Sequence, residues 1–154
     1  MRKDLSIPGR VAYGLGKGLL AGLAGTVAIT IAQMIEMRIT HRKPSTAPID
    51  AAQKVLDVKA INKSKKEKVS NEVHWAYGTS WGLTRGVMDI FGLKGIPASL
   101  AHFAAIWGTA LVMLPALKVA PPVKEWGAKT LAKDAMFHLV YIVAAGLVYD
   151  ALDD

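Results

Sequence analysis

The chain has 154 residues, 52% of them hydrophobic and 20% charged, with a formal net charge of +7 and no cysteine. The length fits one domain, and the lack of cysteine excludes disulfides, thiolate metal sites and a cysteine nucleophile. A basic balance suits nucleic acid in a water-soluble protein, but here the charge is gathered in blocks beside long apolar runs, which places it at membrane surfaces and argues against nucleic acid.

The first residues, Met1-Arg-Lys before an apolar run, have the outline of a secretory signal. The apolar stretch is too long for a signal core and lacks a small-x-small cleavage site before a soluble domain. It therefore reads as a retained first span over residues 11–37, longer than the roughly 20 residues that cross a hydrocarbon layer of about 30 Å. Lys17 lies near its start, where a long stem carries the ammonium out to water.

Residues 38–71 form a polar, basic loop. Within it, Ser45-Thr-Ala-Pro-Ile-Asp50 has the marks of a helix start: a hydroxyl cap, a proline and an acid in the first turn. Ile49, Ala52, Val55, Leu56 and Val58 give this short helix an apolar side suited to lying on a membrane surface. The run Asn62-Lys-Ser-Lys-Lys-Glu-Lys68 is too charged to pack and reads as a mobile linker.

Span two, residues 72–91, is the least apolar and carries His74, Arg85 and Asp89. The turn Gly92-Leu-Lys-Gly-Ile-Pro97 reverses the chain, with Pro97 in a first helical turn, where its missing donor costs nothing. Span three covers residues 98–117, Pro121-Pro122 forms an elbow, and span four covers residues 128–151. Tyr13, Trp75, Trp126 and Tyr149 fall near span ends, where amphipathic rings favour the interface. The expected fold is all-α: an integral membrane bundle of four transmembrane helices, with a short interfacial helix between spans one and two. The alternative, a soluble helical protein, needs a polar face that spans three and four lack.

Four spans put both termini on one side with Arg2, Lys3, Arg10, Lys17 and Lys94. Arg38, Arg42, Lys43, the lysines from Lys54 to Lys68, and Lys118, Lys124, Lys129 and Lys133 lie on the other. That bias predicts cytoplasmic long loops and external termini in a cell (inner) membrane. The acidic tail agrees, whereas the basic amino terminus argues the other way.

Helices in lipid associate through close packing of small residues rather than through hydrophobic burial. Gly14, Gly18 and Gly22 make a stripe on span one, and Gly78, Gly82 and Gly86 make another on span two. Their surroundings recur as Tyr13-Gly-x-x-x-Gly-Leu-x-x-Gly22 and Tyr77-Gly-x-x-x-Gly-Leu-x-x-Gly86, the pattern an internal duplication would leave. Spans one and two are expected to cross along these stripes.

Ionisable groups inside a bilayer are costly and are functional candidates by default. Arg85 and Asp89, four apart on one face, are expected to neutralise each other. His74, His102 and His138 fall one in each of the last three spans. At about 1.5 Å per residue they lie roughly 4, 22 and 15 Å below the loop-rich face, too spread for a single metal. His102 and His138 differ by only about 7 Å, which helix tilt can close, so a bis-histidine haem stays open. No phosphate-binding glycine loop, zinc helix or serine elbow is present, and no enzyme is expected.

The stretches Pro44-Ser-Thr-Ala-Pro48, His74-Trp-Ala-Tyr-Gly78, Ala101-His-Phe-Ala-Ala-Ile-Trp-Gly108 and Pro121-Pro-x-x-Glu-Trp-Gly127 resemble those of small prokaryotic four-helix membrane proteins, and the spans are similar to YagU-like inner-membrane proteins. That resemblance implies a location and an architecture but no residue role. The leading expectation is a non-catalytic structural or accessory subunit that packs with itself or a larger membrane complex and touches anionic lipid headgroups through its basic loop. A small transporter or proton conductor using Arg85, Asp89, His102 and His138 is the alternative, and a haem protein using His102 and His138 the third.

Overall fold

The computed structural model describes residues 6–57 and 62–152, without the side chain of Lys63. Val58, Lys59, Arg2, Lys3 and the end of the acidic tail, all used above, lie outside the described residues. The described chain is helical and has no strand: α1 (Ile7–Thr40), α2 (Ala47–Leu56), α3 (Lys63–Ile90), α4 (Gly95–Ala116) and α5 (Ala128–Ala151), with a 3-10 turn at Val123–Glu125.

Local chemistry sets the helix limits. The Ser6 hydroxyl accepts the Gly9 amide at 3.3 Å, capping α1, and Pro8 sits in the first turn. At the other end Arg38 offsets the negative end of the helix dipole, and His41 takes a left-handed backbone (φ 53°) that stops the helix. Between α3 and α4, Gly92 and Gly95 both have positive φ (82° and 57°), so the reversal uses the two residues that adopt it without strain.

α1, α4 and α5 are long and apolar enough to cross a membrane, which fits a membrane protein; α3 is not among them. The four long helices alternate in direction. Tyr13 of α1 donates to the Leu152 carbonyl at the end of α5 (3.1 Å), and Lys133 near the start of α5 reaches Glu36 near the end of α1 (2.6 Å). α1 is the central rod, packed along α3 on one side and α5 on the other, while α4 lies outside against α5 and the upper part of α3.

On α1 mostly small residues face inward and large apolar ones outward, while α5 buries Phe137, Tyr141, Ile142 and Tyr149. Buried positions of α1 are Gly14, Lys17, Gly18, Ala21, Gly22, Gly25, Thr26 and Ile29, whereas Leu20, Leu23, Val27, Ile31 and Ile35 are exposed. On α5, Leu139, Val143 and Leu147 point out in the same way. Such exposed apolar faces are unlike a protein folded in water and match helices whose outer surface is covered by lipid tails.

The segment between α1 and α3 departs from expectation. The charged run after Asn62 is the beginning of α3, not a linker, and its Lys66 forms an ion pair with Asp50 of α2 at 2.7 Å. Ser70 adds a hydrogen bond to the Ser45 carbonyl at 3.2 Å. α2 is held to α3 through Ile49 and Ala51, which are buried, while Val55 and Leu56 remain exposed. Ile49 thus belongs to the α3 contact rather than to one continuous apolar side with Val55 and Leu56.

Candidate functional site

Along the α1–α3 seam the backbones approach too closely for side chains. A methyl group built on Gly82 would strike the Gly18 carbonyl oxygen, one on Gly18 would strike that of Gly82, and one on Gly22 that of Thr79. On Gly86 it would lie 2.5 Å from the Gly14 carbonyl oxygen, and on Gly78 2.5 Å from the Thr26 hydroxyl. Gly14 itself has ordinary room, with its nearest neighbour at 3.6 Å. Gly25 repeats the arrangement toward α5, where a methyl would meet the Tyr141 ring at 2.7 Å.

At the end of this seam nearest the α3–α4 turn lies a buried cluster of charge. Asp89 accepts the Tyr149 hydroxyl at 3.0 Å on Oδ2, with the Lys17 ammonium 3.8 Å from the same oxygen and that of Lys94 3.2 Å from Oδ1. Arg85 donates to Asp150 at 2.8 Å and reaches the Leu93 carbonyl at 3.5 Å. The Tyr149 ring is flanked by two cations, Lys17 at 4.4 Å and Arg85 at 4.9 Å from its centroid. Among the described residues, Lys17, Lys94 and Arg85 thus gather around Asp89 and Asp150. Arg85 Nε and Asp89 Oδ1 make no hydrogen bond, although Lys94 stands beside the latter.

Two expectations are corrected here. Arg85 and Asp89 do not pair with each other: Arg85 takes Asp150 beyond its own helix, and Asp89 takes Lys17 of α1, Lys94 at the α4 cap and Tyr149 of α5. Lys17 does not extend to water either, since only 4% of its side chain is exposed. Gly14 and Ala21, three residues before it and four after, share its face and are small, and that was the available sign that Lys17 faces a neighbouring helix.

The histidines are separated by their partners. His74 Nε2 lies 3.2 Å from the Thr30 hydroxyl of α1. His102 Nε2 donates to the Trp81 carbonyl at 3.0 Å, and its ring sits edge-on to Tyr141. His138 Nδ1 donates to the Asp134 carbonyl at 2.8 Å within α5. Among the described residues, no three His, Cys, Asp or Glu side chains gather as a metal would need.

A second ionic group closes the opposite end. Glu36 of α1 takes Lys133 of α5 at 2.6 Å and Arg42 at 3.0 Å, and Asp134 accepts the Trp107 indole of α4 at 3.0 Å. From Lys17 to Glu36 the chain climbs about 28 Å of α1, and from Lys133 to Asp150 about 26 Å of α5, at ~1.5 Å per residue. Sequence reasoning missed this second group and the part played by Tyr149 and Asp150, because the helix-to-helix pairs join residues far apart in the chain. No family model, no curated protein and no solved structure matches this chain.

Proposed function

We propose that the chain is a multi-pass protein of the cell (inner) membrane, a non-catalytic structural or accessory subunit in which α1, α3, α4 and α5 all cross the bilayer. One observation carries this reading. The ion pairs between the long helices fall into two groups separated by roughly the 30 Å of a hydrocarbon layer. Charges so placed stand at the two interfaces, where they fix helix positions and meet water and headgroups.

α3 fits the same frame. From Glu72 to Asp89 it rises about 26 Å, and its His74, Arg85 and Asp89 side chains turn to α1 and α5, while Ser80 is exposed and bonded to its own helix. The transport alternative calls for polar groups strung through the apolar layer. His102 and His138 are the deep candidates, and both are bonded to backbone carbonyls. The loop-rich side is proposed as cytoplasmic, because most of the lysine and arginine lies there.

The test is extraction in mild detergent followed by native mass analysis. A stable self-assembly or a reproducible companion protein is expected, and a bare protomer under several detergents would refute the subunit role. Proton flux in proteoliposomes that disappears in Asp89→Asn or His138→Ala would instead establish the transport reading. A Soret band in the purified protein would establish the haem reading.

A further inference from the structure

At the loop-side end of α1, Met34, Met37, Arg38, Arg42 and Pro44 line an open groove of about 260 Å3. Arg42 is already engaged, held by Glu36 at 3.0 Å and by the Lys43 carbonyl at 3.0 Å. Arg38 makes no hydrogen bond or ion pair among the described residues. The one carboxylate nearby, Glu36, is shared by Arg42 and Lys133, so it does not oppose an incoming anion.

The order of chemistry along the groove is that of a phospholipid. Met34 stands about 3 Å inside the level of Glu36 and Arg38 about 3 Å outside it, at ~1.5 Å per residue. With Glu36 at the edge of the hydrocarbon, the Met34 thioether lies on the acyl side, Met37 at the boundary and the Arg38 guanidinium on the headgroup side. Methionine adapts its shape to an irregular apolar guest, and the guanidinium fork matches two phosphate oxygens.

We propose that this groove binds an anionic diacyl phospholipid, its phosphate on Arg38 and an acyl chain against Met34 and Met37. The assignment rests on the membrane reading above. It sharpens the general attraction of a basic loop for lipid into one site with one anchoring residue, since Lys124 and Lys129 are equally basic and exposed on the same side but do not line the groove.

Native mass spectrometry of the detergent-solubilised full chain, with phosphatidylglycerol or phosphatidylcholine added, tests it. Phosphatidylglycerol is expected to be retained in preference to phosphatidylcholine. Arg38→Gln should lower that retention about tenfold, as loss of a charged hydrogen-bonded contact does. Lys124→Gln should leave it unchanged, and Met34→Glu, which puts an acid in the groove, should reduce it as Arg38→Gln does. Equal retention of the two lipids, or retention unaffected by Arg38→Gln and Met34→Glu, overturns the site. Carbonate extraction of membranes is read alongside. Wild type and Arg38→Gln are both expected in the pellet, and their release would sink the membrane reading itself, separately from the lipid result.

Discussion

At Gly82 the backbones of α1 and α3 meet with no room for a methyl group, and the obstacle is the Gly18 carbonyl, which cannot rotate away as a side chain would. Gly82→Ala is therefore expected to destabilise the bundle by about 1–3 kcal/mol, the usual range for overpacking, after a small gain in helix propensity. Gly108 has open space around its missing Cβ, so Gly108→Ala should be neutral or stabilising by up to about 1 kcal/mol. Unfolding in a denaturing detergent, followed by helical circular dichroism, compares the two, and equal behaviour would mean the seam is looser than described. Asp89 gives the second prediction at this scale. Its carboxylate is 1% exposed and faces Lys17, Lys94 and Tyr149. Asp89→Asn keeps a hydrogen-bond acceptor for Tyr149 but removes the buried negative charge that faces Lys17 and Lys94. The loss should be on the order of 3 kcal/mol, whereas Asp57→Asn, at an exposed helix end, should change stability by less than about 0.5 kcal/mol. The same unfolding assay reads both.

α2 is held by charge as well as by Ile49 and Ala51. Burial pushes the Asp50 carboxyl up, but hydrogen bonds from Lys66 and Thr46, with the charges of Lys66 and Lys54, outweigh that and hold it below its usual value of 3.8. A depressed carboxylate stabilises the docked helix above the unfolded value, and that contribution is lost as pH falls through the lower, folded one. α2 should therefore stay docked from neutral pH down to about 4 and loosen only in stronger acid. With no native cysteine, an environment-sensitive probe on Val55→Cys can report this in a pH titration. Asp50→Asn should shift the probe signal at neutral pH, and a transition near pH 6 in the wild type would contradict the ion-pair account. This element also shows how far the fold was legible. Residues 128–151 read from the sequence coincide with α5, and the apolar runs of α1 and α4 place those helices to within a few residues. The start of α3 was hidden, because residues 63–68 have nothing apolar to bury and are helical beside Asp50 and Ser45, partners that local composition does not display. In the charge cluster, the positions of Arg85 and Asp89 were visible. Their partners Asp150, Tyr149 and Lys17 come from other helices, and a four-residue spacing suggested a local pair instead.

For the whole molecule the deciding question is whether α3 joins α1, α4 and α5, the three helices apolar enough to cross a bilayer. By composition it falls short, because His74, Thr79, Thr84, Arg85 and Asp89 dilute its apolar content. Hydropathy averages around the helix, however, whereas lipid meets only the outer face. Of the polar groups on α3, His74 turns to Thr30, Arg85 to Asp150 and Asp89 to Lys17 and Tyr149. Single cysteines separate the two topologies. If four helices cross, Ser64→Cys and Lys124→Cys share one side and Leu93→Cys lies on the other. If α3 stays on the loop side, Ser64→Cys and Leu93→Cys share a side and Lys124→Cys moves across. Labelling of intact cells with a membrane-impermeant maleimide, before and after permeabilisation, is expected to modify Leu93→Cys from outside and the other two only after permeabilisation. The charge distribution supports that outcome: the three-crossing arrangement would put the lysines at 118, 124, 129 and 133 opposite the basic residues from Arg38 to Lys68, and the side-to-side bias that orients the chain would vanish. Labelling of Ser64→Cys and Leu93→Cys on one side, with Lys124→Cys on the other, would therefore remove α3 from the membrane, and the two ionic groups would no longer mark its faces.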